Sequence, residues 1–274
     1  MLSEPNAKLG HSTYREYAPP ATLREHVLCF WTQSVDAAGG EYSHRVLPDA
    51  CIDIVFFNDR GPLIVGPWTE AFVSRLAGGA SLTGVRLHPG RAADVLGLPA
   101  SELLNASAPM RDVWRKTLCA IFDGVSAGDT PTVQLARLEA AMLRRACDVR
   151  TQDRAMRFAV GWLADNPDVR VETLSRELRL SERQLRRRFS AAVGYGPKTF
   201  QSVLRFQRLL HLASRVHGAT NLAHLAAAAG YSDQPHMNRE VRRLSGTTPT
   251  DLLQSSACTL THGDLIASNQ RDTR

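Results

Sequence analysis

The chain has 274 residues, of which 43% are apolar and 22% charged, so it can bury a core and should be globular rather than disordered. No stretch approaches the roughly 18 consecutive apolar residues of a membrane-spanning helix. Residues 1–17 lack the basic start and apolar run of a signal peptide. The five cysteines are widely spaced and form no Cys-x-x-Cys pair, which argues against a disulfide scaffold or a zinc knuckle and favours the reducing cytoplasm.

The net charge of +6 is unevenly distributed along the chain. Residues 152–256 contain 16 basic and 9 acidic side chains, whereas residues 1–151 contain 15 and 16. A basic block beside a neutral one predicts a module that binds a polyanion, joined to a second domain. Only three of the 33 basic residues are lysine. The planar arginine fork suits phosphate and guanine, although a GC-rich genome explains the same bias equally well.

The first half reads as a mixed α/β domain over residues 1–150, with a barrel-like antiparallel sheet and added helices. Short apolar runs separated by turn residues predict five strands, at Val27–Gln33, Tyr42–Leu47, Ile52–Phe57, Leu63–Val65 and Ser81–Leu87. Near Gly90 the sequence pattern changes from short strand-like runs to helical spacing, and helices are predicted at 91–98, 118–125 and 132–147. The last of these helices is a candidate surface for forming a homodimer.

The second half shows no strand signal and several helices, so we predict an all-α domain over residues 151–256 and a disordered tail over 257–274. It contains an internal repeat with an offset of 52 residues. The series Leu185-x-Arg187-x-Phe189, Gly194, Pro197 recurs as Met237-x-Arg239-x-Val241, Gly246, Pro249. Upstream, Leu174-Ser175 matches Leu225-Ala226 at an offset of 51, so the second copy has one extra residue in its turn.

Each copy is predicted to fold as helix, tight turn, helix. The second helices, about 182–193 and 234–245, begin at the N-cap residues Ser181 and Asp233. At 100° per residue, the apolar side chains face inward, while Arg183 and Arg187 in one copy and His236 and Arg239 in the other face outward. Between the copies, the helix that starts at Pro197 is apolar around most of its surface, which predicts a rigid strut held between two modules.

Two helix-turn-helix units on one strut are suited to reading successive major-groove segments of double-stranded DNA, about 34 Å apart. The motifs that carry this interpretation are Leu180-Ser181-x-Arg183-x-Leu185-x-Arg187-x-Phe189, Gly194-x-x-Pro197-Lys198 and Arg205, followed by Ala229-Gly230-Tyr231-Ser232-Asp233-Gln234, His236, Arg239 and Gly246-x-Thr248-Pro249. In these motifs residues 153–253 resemble the DNA-binding region of the AraC/XylS family of bacterial transcription regulators.

The resemblance implies a sequence-specific transcription regulator whose base contacts come from six residues: Arg183, Arg186, Arg187, Gln234, His236 and Arg239. Five others are expected to contact phosphate or to support the readers: Ser181, Lys198, Arg205, Arg242 and Arg243. This chain departs from the family where Arg179 replaces the usual turn glycine. A non-glycine residue in the left-handed conformation costs on the order of 1 kcal/mol, which predicts slight strain in the first turn.

Two segments of the first half, 44–53 and 84–90, resemble an N-terminal domain attached to some members of this family. In those regulators it senses a ligand or mediates dimerisation, so the resemblance implies a small-molecule effector or a homodimer, and RNA polymerase as a partner if the protein is an activator. Four residues are candidates for lining a ligand pocket: Trp31, Asp49, Asp53 and Trp68. The plainer reading assigns both tryptophans to the core and both aspartates to a turn cap and a strand edge.

Two other function classes remain open. An enzymatic or metal-binding N-terminal domain could carry the DNA-binding half as an appendage, but the sequence shows no nucleophile–base or metal-ligand motif. We therefore predict no catalytic residues, no metal and no cofactor. A module that sequesters a protein partner without contacting DNA is the third class, and the intact outward arginines count against it. Membrane binding is not expected.

Overall fold

The structure is a computed structural model that describes residues 7–9, 12–114, 119–125, 128–149, 153–215 and 221–254. None of the helices in these ranges has the length and apolar character needed to cross a bilayer. The predicted helix at 118–125 is described in part, as a 3₁₀ turn at Ala120–Phe122. The predicted tail, 257–274, and the predicted domain boundary near residue 150 lie outside the described residues.

A seven-stranded antiparallel sheet forms the frame of the N-terminal half, in the order β1-β2-β3-β8-β5-β6-β9. Strands β4 and β7 pair separately as a two-stranded sheet. The strands are β1 (Ala7–Leu9), β2 (Ser12–Tyr17), β3 (Val27–Val35), β4 (Tyr42–Val46), β5 (Ile52–Phe57), β6 (Leu63–Val65), β7 (Phe72–Leu76), β8 (Ser81–Leu87) and β9 (Ser107–Pro109). The predicted bounds of β5, β6 and β8 are those observed, and the predictions for β3 and β4 differ from the observed strands by two residues and one residue at their C-terminal ends.

Alternation along each strand divides the sheet into two different faces. In β5, Ile52, Ile54 and Phe56 join one core cluster. That cluster is closed by α1 (Ala92–Leu96) and α3 (Pro131–Cys147). The intervening side chains of Asp53, Val55 and Phe57 point to the opposite face, which the β4–β7 pair covers. The remaining N-terminal helix is α2 (Met110–Val113).

All the regular secondary structure in the described residues of the C-terminal half is helical, as predicted. Its helices are α4 (Arg154–Asp165), α5 (Val171–Glu177), α6 (Glu182–Val193), α7 (Pro197–Ser214), α8 (Leu222–Ala229), α9 (Gln234–Ser245) and α10 (Pro249–Gln254). The predicted fold class, a mixed α/β domain followed by an all-α domain with two helix-turn-helix modules, is confirmed. Helix α7 is the predicted strut, with buried residues around most of its circumference, including Phe200, Leu204 and Phe206.

The two copies of the sequence repeat make equivalent backbone hydrogen bonds in their turns. The Leu180 N–H donates to the Ser175 carbonyl in the first turn, and the Tyr231 N–H donates to the Ala226 carbonyl in the second. Helices α6 and α9 are both 12 residues long and start 52 residues apart. The change from an offset of 51 to one of 52 falls between Tyr231 and the cap Asp233. The extra residue in the second turn is therefore Ser232.

Candidate nucleic-acid interface and ligand cavity

Helix α6 is fixed by its ends and by one apolar face. The Gln184 N–H donates to Ser181 Oγ at 3.2 Å, and the Ser181 N–H donates to Gln184 Oε1 at 3.0 Å, which completes a capping box. Leu185 and Phe189 are fully buried in the C-terminal core. Gly194 ends the helix in the left-handed conformation, at φ 104°. The opposite face of α6 is therefore presented to solvent in a fixed orientation.

The arginines of α6 divide into two groups with different surroundings. Arg183, Arg186 and Arg187 are exposed. Arg188 instead turns toward α4, where its Nη2 and Nε donate to the Asp153 carboxylate at 2.7 and 2.8 Å. That hydrogen bond holds the pKa of Asp153 below its ordinary value. Arg188 thus ties the first module to the preceding helix, and the other three guanidinium groups face outward.

Helix α9 repeats this arrangement with different residues. The Asp233 carboxylate accepts from the His236 N–H at 2.6 Å, and Met237 and Val241 are fully buried. Arg239 is exposed, while Gln234 and His236 are half-buried. Ser232 Oγ lies 3.0 Å from His236 Nδ1, so the Ser232 hydroxyl orients the imidazole ring.

The two turns differ at one backbone position. Gly230 has φ 89° and Arg179 has φ 52°, so the left-handed residue of the turn is glycine in the second copy and arginine in the first. Arg205 of α7 braces the second turn. Its guanidinium lies 5.9 Å from the centroid of the Tyr231 ring, and its Nη2 donates to Ser202 Oγ at 3.4 Å.

One loop of the N-terminal half, residues 66–71, contacts the C-terminal ends of both α6 and α9. The Ala71 N–H donates to the Leu244 carbonyl at 2.7 Å. Pro67 packs so closely against Gly194 that a side chain there would collide with the proline ring. Asn105 also holds this loop, because its backbone N–H donates to the Pro67 carbonyl at 3.0 Å.

A second connection joins β4 and the following loop to the helical half. Arg45 Nη1 donates to the Ser245 carbonyl at 2.8 Å. This places a cation on one of the carbonyl groups that the last turn of a helix leaves without an intrahelical partner. Ala50 is buried in the C-terminal core, and Gln207 Nε2 of the strut donates to the Pro48 carbonyl at 2.6 Å.

A cavity of ≈ 180 Å³ lies between the seven-stranded sheet and the β4–β7 pair. Its walls are mainly apolar and aromatic, with Val55, Phe57, Leu63, Phe72 and Leu82 among the lining residues. Trp31 lies flat across β8 because its partner in the register is Gly84, where any side chain would overlap the indole. Gln207 of α7 also lines the cavity, so both halves of the chain contribute to its wall.

The polar end of the cavity is an ion-paired cluster centred on Arg86. Its side chain is 8% exposed and bonds the Asp53 carboxylate through Nε and Nη2 at 3.0 and 2.9 Å. Asp49 Oδ2 lies 3.5 Å from Nε, and Glu16 Oε1 lies 3.9 Å from Nη1. Although burial acts to lower the pKa of Arg86, the charges of Asp53 and Asp49 raise it well above its ordinary value, so the group is a permanent cation.

Residues 174–255 match a family described as a helix-turn-helix domain. The C-terminal domain is an AraC-type helix-turn-helix domain. It identifies the chain as a DNA-binding transcription regulator. Residues 15–109, which include most of the large sheet, match a family described only as a domain of unknown function (DUF6597).

Comparison with curated proteins found no matching sequence. Similar solved structures include three of ToxT from Vibrio cholerae. One shares 12% identity, covers 90% of this chain and 98% of its own, and has a TM-score of 0.42. A second has 10% identity, 78% and 97% coverage and a TM-score of 0.40. The third, with unsaturated fatty acid bound, has 9% identity, 84% and 96% coverage and a TM-score of 0.38.

The six predicted base-contacting residues of the AraC-type domain differ in their exposure to solvent. The four arginines (Arg183, Arg186, Arg187 and Arg239) are exposed, whereas Gln234 and His236 are half-buried. Of the predicted supporting residues, all but the half-buried Arg205 are exposed, and the side chains of Lys198 and Arg242 make no hydrogen bond or ion pair among the described residues. The Ser181 hydroxyl is engaged in the cap of α6, Arg243 is paired with Glu240 at 3.1 Å, and Arg205 lies against Tyr231.

The cavity brings together three of the four predicted pocket residues: Trp31, Asp49 and Asp53. The fourth, Trp68, lies outside this lining, and its ring is tilted against that of Phe72 with the two centroids 4.2 Å apart, so its place in a ligand pocket stays a prediction. Asp49 is also the predicted turn cap, because its Oδ1 accepts from the Cys51 N–H at 2.9 Å. Sequence reasoning missed Arg86 and Gln207. A charged residue within the otherwise apolar run of β8 was the available signal for Arg86.

In the part of the chain that the structure describes, no group of three or more His, Cys, Asp or Glu side chains is arranged to hold a metal ion. The thiol of Cys51 is buried, and this burial raises its pKa well above the ordinary value. The resulting neutral thiol is a poor nucleophile.

Proposed function

We propose that this regulator reads DNA with α6 and α9 in two successive major-groove segments on one face of the duplex. The observation that carries the proposal is the equivalence of Arg187 and Arg239. They occupy matching positions of the repeat, 52 residues apart, on the face opposite the buried side chains, and both are exposed. Arg183 and Arg186 extend the reading face of α6, and Gln234 and His236 extend that of α9. Lys198 and Arg242 are proposed phosphate contacts.

An electrophoretic shift on the DNA upstream of the protein's own gene tests the readers. A bidentate arginine–guanine contact is worth about 1–3 kcal/mol, so Arg187→Ala and Arg239→Ala should each weaken specific binding roughly 5- to 150-fold. Arg111→Ala is the charge-matched control, because that side chain is 83% exposed on α2, away from both helices. Unchanged specific binding by both reader variants would refute the assignment.

We further propose that the N-terminal domain modulates DNA binding by restraining the two recognition helices. Loop 66–71 contacts the C-terminal ends of both helices, and its flanking residues Val65 and Phe72 line the cavity. Arg45 lines the same cavity and bonds the end of α9. A small molecule that displaces these cavity walls would therefore move the supports of both helices.

Arg45→Met tests the restraint without a ligand, since it keeps a long side chain but removes the donor to Ser245. We expect a change in DNA affinity of at least about threefold, from loss of a charge-assisted hydrogen bond to a buried carbonyl. Arg75→Met is the matched control, because Arg75 pairs with Ser43 in the same β4–β7 sheet and its side chain is 75% exposed. Equal affinities for the two variants and the unaltered protein would contradict the restraint.

A further inference from the structure

We infer that Ser232 and Asp233 fix His236 as a hydrogen-bond acceptor toward DNA, so that α9 selects cytosine or adenine over guanine or thymine at the base that His236 contacts. This inference rests on the proposed reading of DNA by α9 and adds the chemical class of base that one of its readers takes. Its basis is a chain of three polar side chains at the start of α9, together with the aromatic ring that holds the imidazole.

The imidazole of His236 is held from two sides. Ser232 Oγ lies 3.0 Å from its Nδ1 atom. The Tyr231 ring makes a T-shaped contact with it, with the centroids 5.5 Å apart and the planes at 84°. Tyr231 is buried in the C-terminal core, so packing sets the position of its ring. Nδ1 of His236 therefore faces the turn, and Nε2, which has no hydrogen bond to any described residue, is the atom left to meet a base.

The neighbour of Ser232 decides which nitrogen of the imidazole carries the proton. Asp233 Oδ2 lies 3.3 Å from Ser232 Oγ, while Asp233 Oδ1 accepts from the His236 N–H at 2.6 Å. A carboxylate only accepts hydrogen bonds, so the single hydroxyl proton of Ser232 is drawn to Asp233 in a charge-assisted bond. The hydroxyl oxygen then accepts from Nδ1–H of His236. The opposite arrangement would leave the Ser232 oxygen facing the carboxylate with no proton between them.

The position of this proton determines what His236 can bind. In a neutral imidazole that carries its proton on Nδ1, Nε2 is a hydrogen-bond acceptor. In the major groove cytosine presents the N4 amino group and adenine the N6 amino group, whereas guanine and thymine present only acceptors there. An acceptor on α9 therefore favours cytosine or adenine. The exposed arginines of α6 only donate, so the two segments of the DNA site should differ in the bases they require.

The first helix-turn-helix has no counterpart of this chain. Ser232 is the extra residue of the second turn, and the first turn lacks it. The residue equivalent to His236, 52 positions earlier, is Gln184, whose Oε1 accepts from the Ser181 N–H in the cap of α6. The inserted serine thus accounts for a reader in α9 that α6 does not have.

Selection of binding sites from a pool of random-sequence duplexes by the full chain tests the inference. It is carried out at pH 8, above the pH at which histidine ordinarily titrates. Comparison with His236→Ala identifies the contacted base, because this variant should lose its preference at that position alone. There we expect the unaltered protein to favour cytosine or adenine over guanine or thymine by about 2- to 12-fold, the effect of one net hydrogen bond.

Asp233→Asn is the sharpest variant, because asparagine caps a helix as well as aspartate but carries a donor in place of one carboxylate oxygen. Its Oδ1 still accepts from the His236 N–H, and its Nδ2 donates to Ser232 Oγ. The hydroxyl then donates to Nδ1 and the imidazole proton lies on Nε2. The preference at this position should therefore invert, toward guanine or thymine, by a similar factor.

Two further variants separate this role from helix stability. Ser232→Ala removes the link between Asp233 and the imidazole, so the preference at this position should fall below twofold. Asp251→Asn is the matched control, since this carboxylate on α10 also accepts from a hydroxyl, that of Thr248 at 2.6 Å. It should leave the preference unchanged.

A preference for guanine or thymine in the unaltered protein would overturn the inference, as would an unchanged preference in Asp233→Asn. Equal weakening of all sites by Ser232→Ala, with the preference retained, would make the serine a structural contact only and would also overturn it. If His236→Ala alters no position while Arg187→Ala and Arg239→Ala do, the proposed reading of DNA stands and the role of His236 is refuted. If the two arginine variants alter no position either, the proposed reading itself fails.

Discussion

The two copies of the helix-turn-helix offer an internal test of backbone strain. Arg179 occupies the left-handed conformation at φ 52°, where the equivalent residue of the second copy is Gly230. For an L side chain this conformation costs about 1–2 kcal/mol, whereas glycine adds about 0.5–1 kcal/mol of unfolded-state entropy. The Arg179 side chain is exposed, and its N–H donates to the Arg176 carbonyl in a bond that glycine retains. Arg179→Gly should therefore stabilise the protein by about 0.5–1 kcal/mol.

The assay is urea unfolding of the full chain without DNA, supported by a thermal scan in which the shift should be about 1–4 °C upward. The reciprocal control is Gly230→Ala, which should destabilise the protein by about 1–2 kcal/mol. Its new Cβ would sit in a left-handed backbone and 3.0 Å from Asp168 Oδ1. If Arg179→Gly leaves the protein equally stable or less stable, the strain argument is wrong.

Two further predictions concern ion pairing and pH. Arg188→Ala should lower the free energy of unfolding by about 1 kcal/mol, a value discounted because the pair with Asp153 is about one-third exposed, and it should leave DNA affinity unchanged. The pKa of Asp153 is lower in the folded state than its ordinary value of 3.8, so the stabilisation from this pair is present above pH 3.8 and is lost as the pH falls through the lowered pKa. Below pH 3.8, the free energy of unfolding of Arg188→Ala should therefore fall less steeply with pH than that of the unaltered protein. Burial lowers the pKa of His88 to about 4 from 6.5, so the unfolded chain binds the proton first and stability should fall by about 2 kcal/mol between pH 7 and pH 5. Unfolding midpoints at the two pH values measure this loss, and a His88→Gln variant with the same pH slope would contradict it.

The sequence predicted the helical half well because its signals are local. The caps Ser181 and Asp233, the C-terminal glycines and the i, i+4 apolar spacing each determine a helix end or face without distant contacts. The repeat then located the reading faces. Arg188 was the residue that periodicity could not separate from its neighbours, because its pairing with Asp153 depends on how α4 packs on α6.

The N-terminal half was less predictable because sheet edges and cavities depend on long-range pairing. Strand β7 was missed, since its half-exposed sequence acquires strand structure only by pairing with β4. Strand β9 is a three-residue edge that includes Pro109 and pairs with β6. The cavity combines Arg86 of β8 with Gln207 of α7, and no local pattern connects residues so far apart along the chain.

A hydroxyl-radical footprint on the upstream DNA measures the central claim most directly, because it reports each groove contact separately. Two protected segments centred about 10 base pairs apart on one face of the duplex are predicted. Arg187→Ala should weaken only the segment contacted by α6, and Arg239→Ala only the one contacted by α9. A single protected segment, or both variants losing the same one, would contradict the account.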